Sequence, residues 1–188
     1  DSNKKSEIKK ISKAFEGRDV ISIPAALAFG TGDHETTSTC LRLLVDITKE
    51  YTKNNKEWSL CDIGTGTGIL AIAAKMLGSK KVECFDFDST AINVAKRNIL
   101  RNETPDILVY EADLFEWKPR KKTSWNIITA NIFANVLNAN LAKIFSALAP
   151  EGNLILSGIL REHEKSVIES AKKTSLQDPM IYRKGKWV

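Results

Sequence analysis

No stretch of this 188-residue sequence approaches the ~18–20 consecutive apolar residues of a membrane span; the longest candidates are short runs at 127–128 and 154–156. A bilayer partner is therefore not expected. Cysteine is scarce: the 3 present, Cys40, Cys61 and Cys84, are odd in number and widely spaced, which fits neither a disulfide framework nor a zinc cluster. Each stands beside an apolar residue, so reduced core thiols in a cytoplasmic compartment are expected. Histidine is scarcer still, at 2, and no metal site is indicated. No apolar segment follows the polar, lysine-rich residues 1–10, so no secretory signal is read. Neither sign of charge dominates, with 28 basic against 23 acidic residues and a net +5. The bases are scattered apart from Lys4, Lys5, Lys9, Lys10 and the run Arg120, Lys121, Lys122. They read first as solvation and leave direct contact with an anionic partner such as RNA open. With 43% hydrophobic and 27% charged residues, collagen-like, fibrous and disordered classes are excluded. One domain is expected at this length, over 21–188, after a polar extension at 1–20.

What is present is an alternation of short apolar runs with helical periods. Strands are expected at 59–63, 82–87, 107–110, 125–130 and 153–157, and helices at 69–77, 91–100, 136–148 and 162–173. A closing hairpin pairs 180–183 with 186–188 through a turn at Lys184 and Gly185. Upstream lie a short strand at 20–23, a glycine-containing loop and a helix over 35–49. Strands alternating with helices of this length imply βαβ units and a doubly wound α/β architecture, its parallel sheet covered on both faces. Such sheets bind ligands beyond the carboxyl ends of their strands, near the point where strand order reverses.

Four strand ends carry the polar chemistry. The loop Asp62-Ile63-Gly64-Thr65-Gly66-Thr67-Gly68 follows a strand and opens a helix, and its glycines let a ligand lie against the backbone. Asp86, at the end of the next strand, is placed to accept from both hydroxyls of a ribose. The loop runs G-x-G-x-G rather than the G-x-G-x-x-G of a dinucleotide site, and no Gly-Lys-Ser/Thr of a P-loop follows. Asp62 heads the loop, where a carboxylate repels a diphosphate and attracts a cationic amino-acid portion. That favours S-adenosyl-L-methionine, which carries an ammonium and a sulfonium and no phosphate. A turn that merely packs helix on strand is the plainer reading of the glycines.

Asp113, after the third strand, is placed to accept from an adenine amino group or to cap a turn. Asn131 ends the fourth strand, where its amide oxygen accepts hydrogens of an amine and aims the nitrogen lone pair at an electrophilic methyl, or else caps the next helix. Ahead of these, Ala28-Phe29-Gly30-Thr31-Gly32-Asp33-His34-Glu35-Thr36-Thr37 reads as a lid whose backbone and hydroxyls close over a small ligand. Asp33 or Thr36 would cap the helix that follows. Histidine switches charge near neutrality, which makes His34 a candidate base.

The lid run, the glycine loop with its continuation Ile69-Leu70-Ala71-Ile72-Ala73-Ala74, the Asp86-Phe87-Asp88 stretch and the Asn131-Ile132 pair together resemble the catalytic domain of the ribosomal protein L11 methyltransferase family. The resemblance runs from about Ile21 to the C-terminus. Most class I methyltransferases share the glycine loop, whereas the lid run is much more specific. The resemblance implies a seven-stranded, mostly parallel sheet with an antiparallel C-terminal strand and use of S-adenosyl-L-methionine. It places Thr37, Gly64, Asp86 and Asn131 at cofactor contacts, with Phe29, Gly30, Thr31 and Gly66 beside them, and Asn131 bordering the acceptor. It also implies methylation of protein amino groups, a lysine side chain or an N-terminal amine of a ribosomal protein. The sequence departs from the family at Pro24-Ala25-Ala26, where Pro-Gly is usual, and residues 1–20 stand where the family carries a recognition domain. A short relative with another protein target, like the electron-transfer flavoprotein lysine methyltransferases, shares the same chemistry.

Three other readings remain open on the residues. A class I methyltransferase of RNA or a small molecule is one, weakened because Asn131 is followed by Ile132-Phe133 rather than Pro-Pro-aromatic. A non-catalytic scaffold is another. A nicotinamide-dependent oxidoreductase lacks a convincing proton donor.

Overall fold

The computed structural model describes residues 19–24, 34–119, 124–176 and 179–188. Five strands lie among them: β1 (Ser59–Ile63), β2 (Lys81–Asp86), β3 (Leu108–Glu111), β4 (Trp125–Asn131) and β5 (Leu148–Ser157). All pair in parallel, in the order β3-β2-β1-β4-β5. The helices are α1 (Glu35–Lys53), α2 (Ile69–Met76), α3 (Ser89–Arg101), α4 (Ala134–Ser146) and α5 (Glu164–Lys172), the last entered through a 3-10 turn at Arg161–His163. The expected doubly wound α/β architecture is thus present, and strand order reverses between β1 and β4.

Alternation along the strands builds the two layers, because successive side chains point to opposite faces. Leu60, Cys84 and Ile127 join α1, α2 and Ile99 of α3 in one cluster, while Cys61, Ile63, Phe85, Ile128 and Ala130 meet Leu137 and Ile144 of α4 in the other. The central strands are buried on both faces, which is why they read as continuous apolar runs. Cys40, Cys61 and Cys84 are buried free thiols, and burial pushes Cys40 up to about 12. Asp88 caps α3 by accepting from the Thr90 amide. No helix among the described residues is long and apolar enough to cross a membrane.

Several expectations change. α1 continues past residue 49 to Lys53, its extra turn bringing Tyr51 within 5.9 Å of the Trp58 ring. Residues 20–23 form no strand; instead Ser22 donates to Asn102 Oδ1 and accepts from Asn102 Nδ2, so one amide side chain takes the place of a neighbouring strand. Five strands, not seven, stand among the described residues, and the C-terminal antiparallel strand is reduced to isolated bridges from Trp187 to Leu160 and to Lys184. The 180–183 arm makes no hairpin because Met180, Ile181 and Tyr182 are exposed and bury no face, while Lys184 and Trp187 close on each other across a turn at Gly185 and Lys186.

Candidate active site

The crevice expected at the switch point is a cleft of about 580 Å3 over the carboxyl ends of β1, β2, β3 and β4. Thr37, Asp62, Gly64, Gly66, Asp86, Asp113 and Asn131, seven residues proposed from the sequence, all line it. Phe29, Gly30 and Thr31 lie outside the described residues. Five of the seven come from four different strand ends and α1, so only the parallel register brings them together.

The glycine loop leaves β1 with Gly64 at φ +68°, Gly66 at +54° and Gly68 at +82°, conformations that glycine adopts without a steric penalty. The amides of Gly64 and Thr65 both donate to the Phe85 carbonyl at 3.0 Å, which ties the loop to β2. Asp86 closes the other side. Its Oδ2 accepts from the Gly66 amide at 2.9 Å and its Oδ1 from the Asp88 amide at 3.1 Å, so the carboxylate is fixed at the loop's edge. Ionised oxygens accept more than one bond, so both retain capacity for donors in the cleft.

Asp62 is 1% exposed and is held by two threonines, each donating at 2.6 Å: Thr129 to Oδ1 and Thr65 to Oδ2. Burial pushes its carboxyl up to about 6, against the two hydrogen bonds, and the neighbouring Asp86 charge pushes the same way. Thr129 lies opposite Asp62 in the β1–β4 register, a pairing across 67 residues that no local pattern displays.

Asn131 Nδ2 donates to Thr36 Oγ1 at 3.3 Å and Thr37 Oγ1 at 3.4 Å. Its Oδ1 is buried without a partner among the described residues, an arrangement that carries a desolvation cost unless a donor arrives. Thr36 Oγ1 also meets His34 Nδ1 at 2.7 Å, and His34, rather than Asp33 or Thr36, caps α1 by accepting from the Thr36 amide. Asp113 Oδ1 accepts from the Phe115 amide at 2.8 Å, the turn-capping role, while the residue still faces the cleft.

The sequence reading missed the rim and one wall. Phe87, Phe115 and Phe133 line the cleft while 75%, 55% and 74% exposed, and an aromatic just past each strand end was the available signal. Gly158 and Trp187 had no local signal. A Cβ on Gly158, at φ +78°, would sit 2.7 Å from the Ile132 carbonyl oxygen, so only glycine lets β5 pass this close to the Asn131-Ile132 turn. Trp187 packs edge-on to His34 at 5.1 Å. Among the described residues, no cluster of His, Cys, Asp and Glu suits a metal.

The sequence matches the family model "Ribosomal protein L11 methyltransferase (PrmA)" over residues 7–188. It is similar to ribosomal protein L11 methyltransferases of Listeria welshimeri, 38% identical, and Ruminiclostridium cellulolyticum, 39% identical, each match covering 90% of this chain and 52% of the relative. The chain spans about half the length of the curated relatives it matches. Among solved structures, the ribosomal protein L11 methylase of Lactobacillus delbrueckii subsp. bulgaricus superposes with a TM-score of 0.78 at 29% identity, covering 92% of this chain and 84% of that one. A TehB-like methyltransferase of Corynebacterium glutamicum, at 16% identity and a TM-score of 0.55, shares the fold over 92% of this chain and 82% of its own. A model match over nearly the whole sequence and relatives above 30% identity across nine-tenths of it lead to one conclusion: the chain belongs to the ribosomal protein L11 methyltransferase family.

Proposed function

We propose that residues 21–188 form an S-adenosyl-L-methionine-dependent N-methyltransferase domain that acts in the cytoplasm on an amino group of a ribosomal protein. The observation that carries this reading is the charge of the cleft. Asp62, Asp86, Asp88 and Asp113 line it, and no lysine or arginine does so among the described residues. A phosphate-bearing cofactor or a phosphodiester acceptor would find only repulsion there, whereas a cationic, phosphate-free nucleoside is favoured.

The residues fit that cofactor. Gly64 and Gly66 leave the cleft floor without side chains, Asp86 offers carboxylate oxygens to a ribose, and Asp62 offers negative charge to an ammonium. Phe87 and Phe115 supply apolar walls for a base, and Asp113 an acceptor for its amino group. When bound, S-adenosyl-L-methionine supplies an electrophilic sulfonium methyl. Asn131 Oδ1, without a donor among the described residues, accepts an N–H of the incoming amine and turns its lone pair inward, with Thr36 and Thr37 holding the amide in that orientation. A lysine amine, pKa ~10.4 in water, must lose a proton first; desolvation and the positive charge of a bound sulfonium lower that value, against the cleft carboxylates, which raise it. Water carries the proton away, and alignment supplies acceleration within the ~7–11 kcal/mol available to well-oriented reactants. His34 Nδ1 is engaged with Thr36, and the deprotonation is assigned to water rather than to a side-chain base.

Incubating the protein with methyl-labelled S-adenosyl-L-methionine and a lysate lacking the enzyme tests the reading. Label on lysine or N-terminal amines of a ribosomal protein is expected; label on nucleic acid alone would overturn it. The Asp62 carboxyl gives a second expected outcome. In the ligand-free protein its raised value, about 6 against 3.8 ordinarily, adds stability in full at low pH that is lost as pH rises through about 6. An ammonium nearby selects the ionised form, so cofactor affinity changes the opposite way. It should be about tenfold weaker at pH 5 than at pH 8 by titration calorimetry. Asp62→Asn should flatten that dependence, and an unchanged slope would remove Asp62 from cofactor binding.

A further inference from the structure

A second cavity of about 240 Å3 lies beside the cleft and shares Phe133, Gly158 and Trp187 with it. Its remaining wall includes Asn138 of α4 and His163 and Ser166 at the start of α5. Asn138 Nδ2 donates to Ser166 Oγ at 3.1 Å, and Ser166 Oγ donates to the His163 carbonyl at 2.8 Å. That chain holds the Asn138 amide in one orientation, with Oδ1 buried and without a partner among the described residues. A buried acceptor left so carries a desolvation cost that a ligand donor would recover.

Resting on the function proposed above, we propose that this cavity receives the backbone of the acceptor polypeptide beside its target amine, with Asn138 Oδ1 accepting from a peptide N–H. Three observations favour a peptide. No lysine, arginine, aspartate or glutamate lines the cavity among the described residues, so apart from the His163 ring its polar side chains are amides and a hydroxyl, which suit a neutral polar group. The first turn of α4 has no side-chain cap, and Ala134 and Asn135 line the cavity, so backbone donors stand near the Asn138 acceptor, the paired demand that a peptide group meets. Phe133 and Trp187 line both cavities, giving the aliphatic stem of a lysine an aromatic passage from the peptide site to Asn131.

The test is steady-state methyl transfer from labelled S-adenosyl-L-methionine to unmethylated ribosomal protein L11, with Asn138→Leu and Asn138→Asp. Asn138→Leu should raise the acceptor KM about fivefold, the size of one neutral hydrogen bond, with kcat within about twofold and cofactor affinity unchanged. Asn138→Asp keeps an acceptor oxygen and should return KM to near the wild-type value, which a merely structural role would not produce. Should Asn138→Leu fold poorly by circular dichroism, Ser166→Ala, which frees the amide, should raise KM about twofold to threefold. An active enzyme whose acceptor KM is unmoved by these changes overturns the peptide site alone. A wild-type protein that binds cofactor yet leaves the acceptor unmethylated overturns the proposed function and this site with it.

Discussion

Replacing Asn131 with alanine should lower kcat by about 10²- to 10³-fold, the usual effect of removing one preorganised polar group from a reacting centre, while cofactor affinity changes by less than about fivefold. The split follows from the geometry. Asp62, Asp86, Gly64 and Gly66 hold their places through bonds among β1, β2 and the glycine loop, none of which involves Asn131. What disappears is the one buried amide oxygen in the cleft that lacks a donor among the described residues, and with it the alignment of the amine. Thr36 and Thr37 would lose a shared donor, a small cost beside the loss of turnover. Single-turnover rates with separately measured cofactor binding read both quantities. A fall in affinity as large as the fall in rate would move Asn131 from aligning the acceptor to merely holding the cofactor.

Gly158→Ala should destabilise the fold by about 3 kcal/mol, lowering Tm by about 6–12 °C for a domain of this size, and reduce transfer at the same time. Two penalties combine. A side chain at φ +78° costs ~1–2 kcal/mol, and the new Cβ would press on the Ile132 backbone, 2.7 Å from its oxygen and 3.0 Å from its nitrogen. Ile132 cannot yield without disturbing its amide, which donates to the Ser157 carbonyl at 3.1 Å, and that bond sets where Asn131 stands. Gly78→Ala is the control. Gly78 has φ +93° but nothing within 4 Å of its Cβ position, so it bears the conformational penalty alone and should lose only about one-third to two-thirds as much. Equal losses by calorimetry would show that the close approach at Gly158 carries no weight.

The parts of the site that were legible in the sequence are those fixed by local geometry. In a parallel sheet every functional loop follows a strand end, so an acid or amide just past an apolar run, as at Asp86 and Asn131, marks itself. The glycine loop does so through its spacing. The illegible parts depend on tertiary register. Thr129 supports Asp62 only because β4 pairs beside β1, and Gly158 matters only because β5 crosses within van der Waals distance of Ile132. The C-terminal arm misled for a related reason. Residues 180–183 have strand-like composition, but no neighbour covers them, and Arg183 pairs with Glu164 of α5 instead. The cap of α1 shifted to His34 because its ring nitrogen reaches the Thr36 amide and hydroxyl, a choice that composition alone does not reveal.

Amide chemical-shift mapping during titration with S-adenosyl-L-methionine puts the account most directly at risk. Saturable perturbations concentrated at Gly64, Gly66, Asp86 to Asp88, Asp113 and Asn131 are the outcome it requires. Silence at those amides, or perturbations confined to a different face of the sheet, would contradict it.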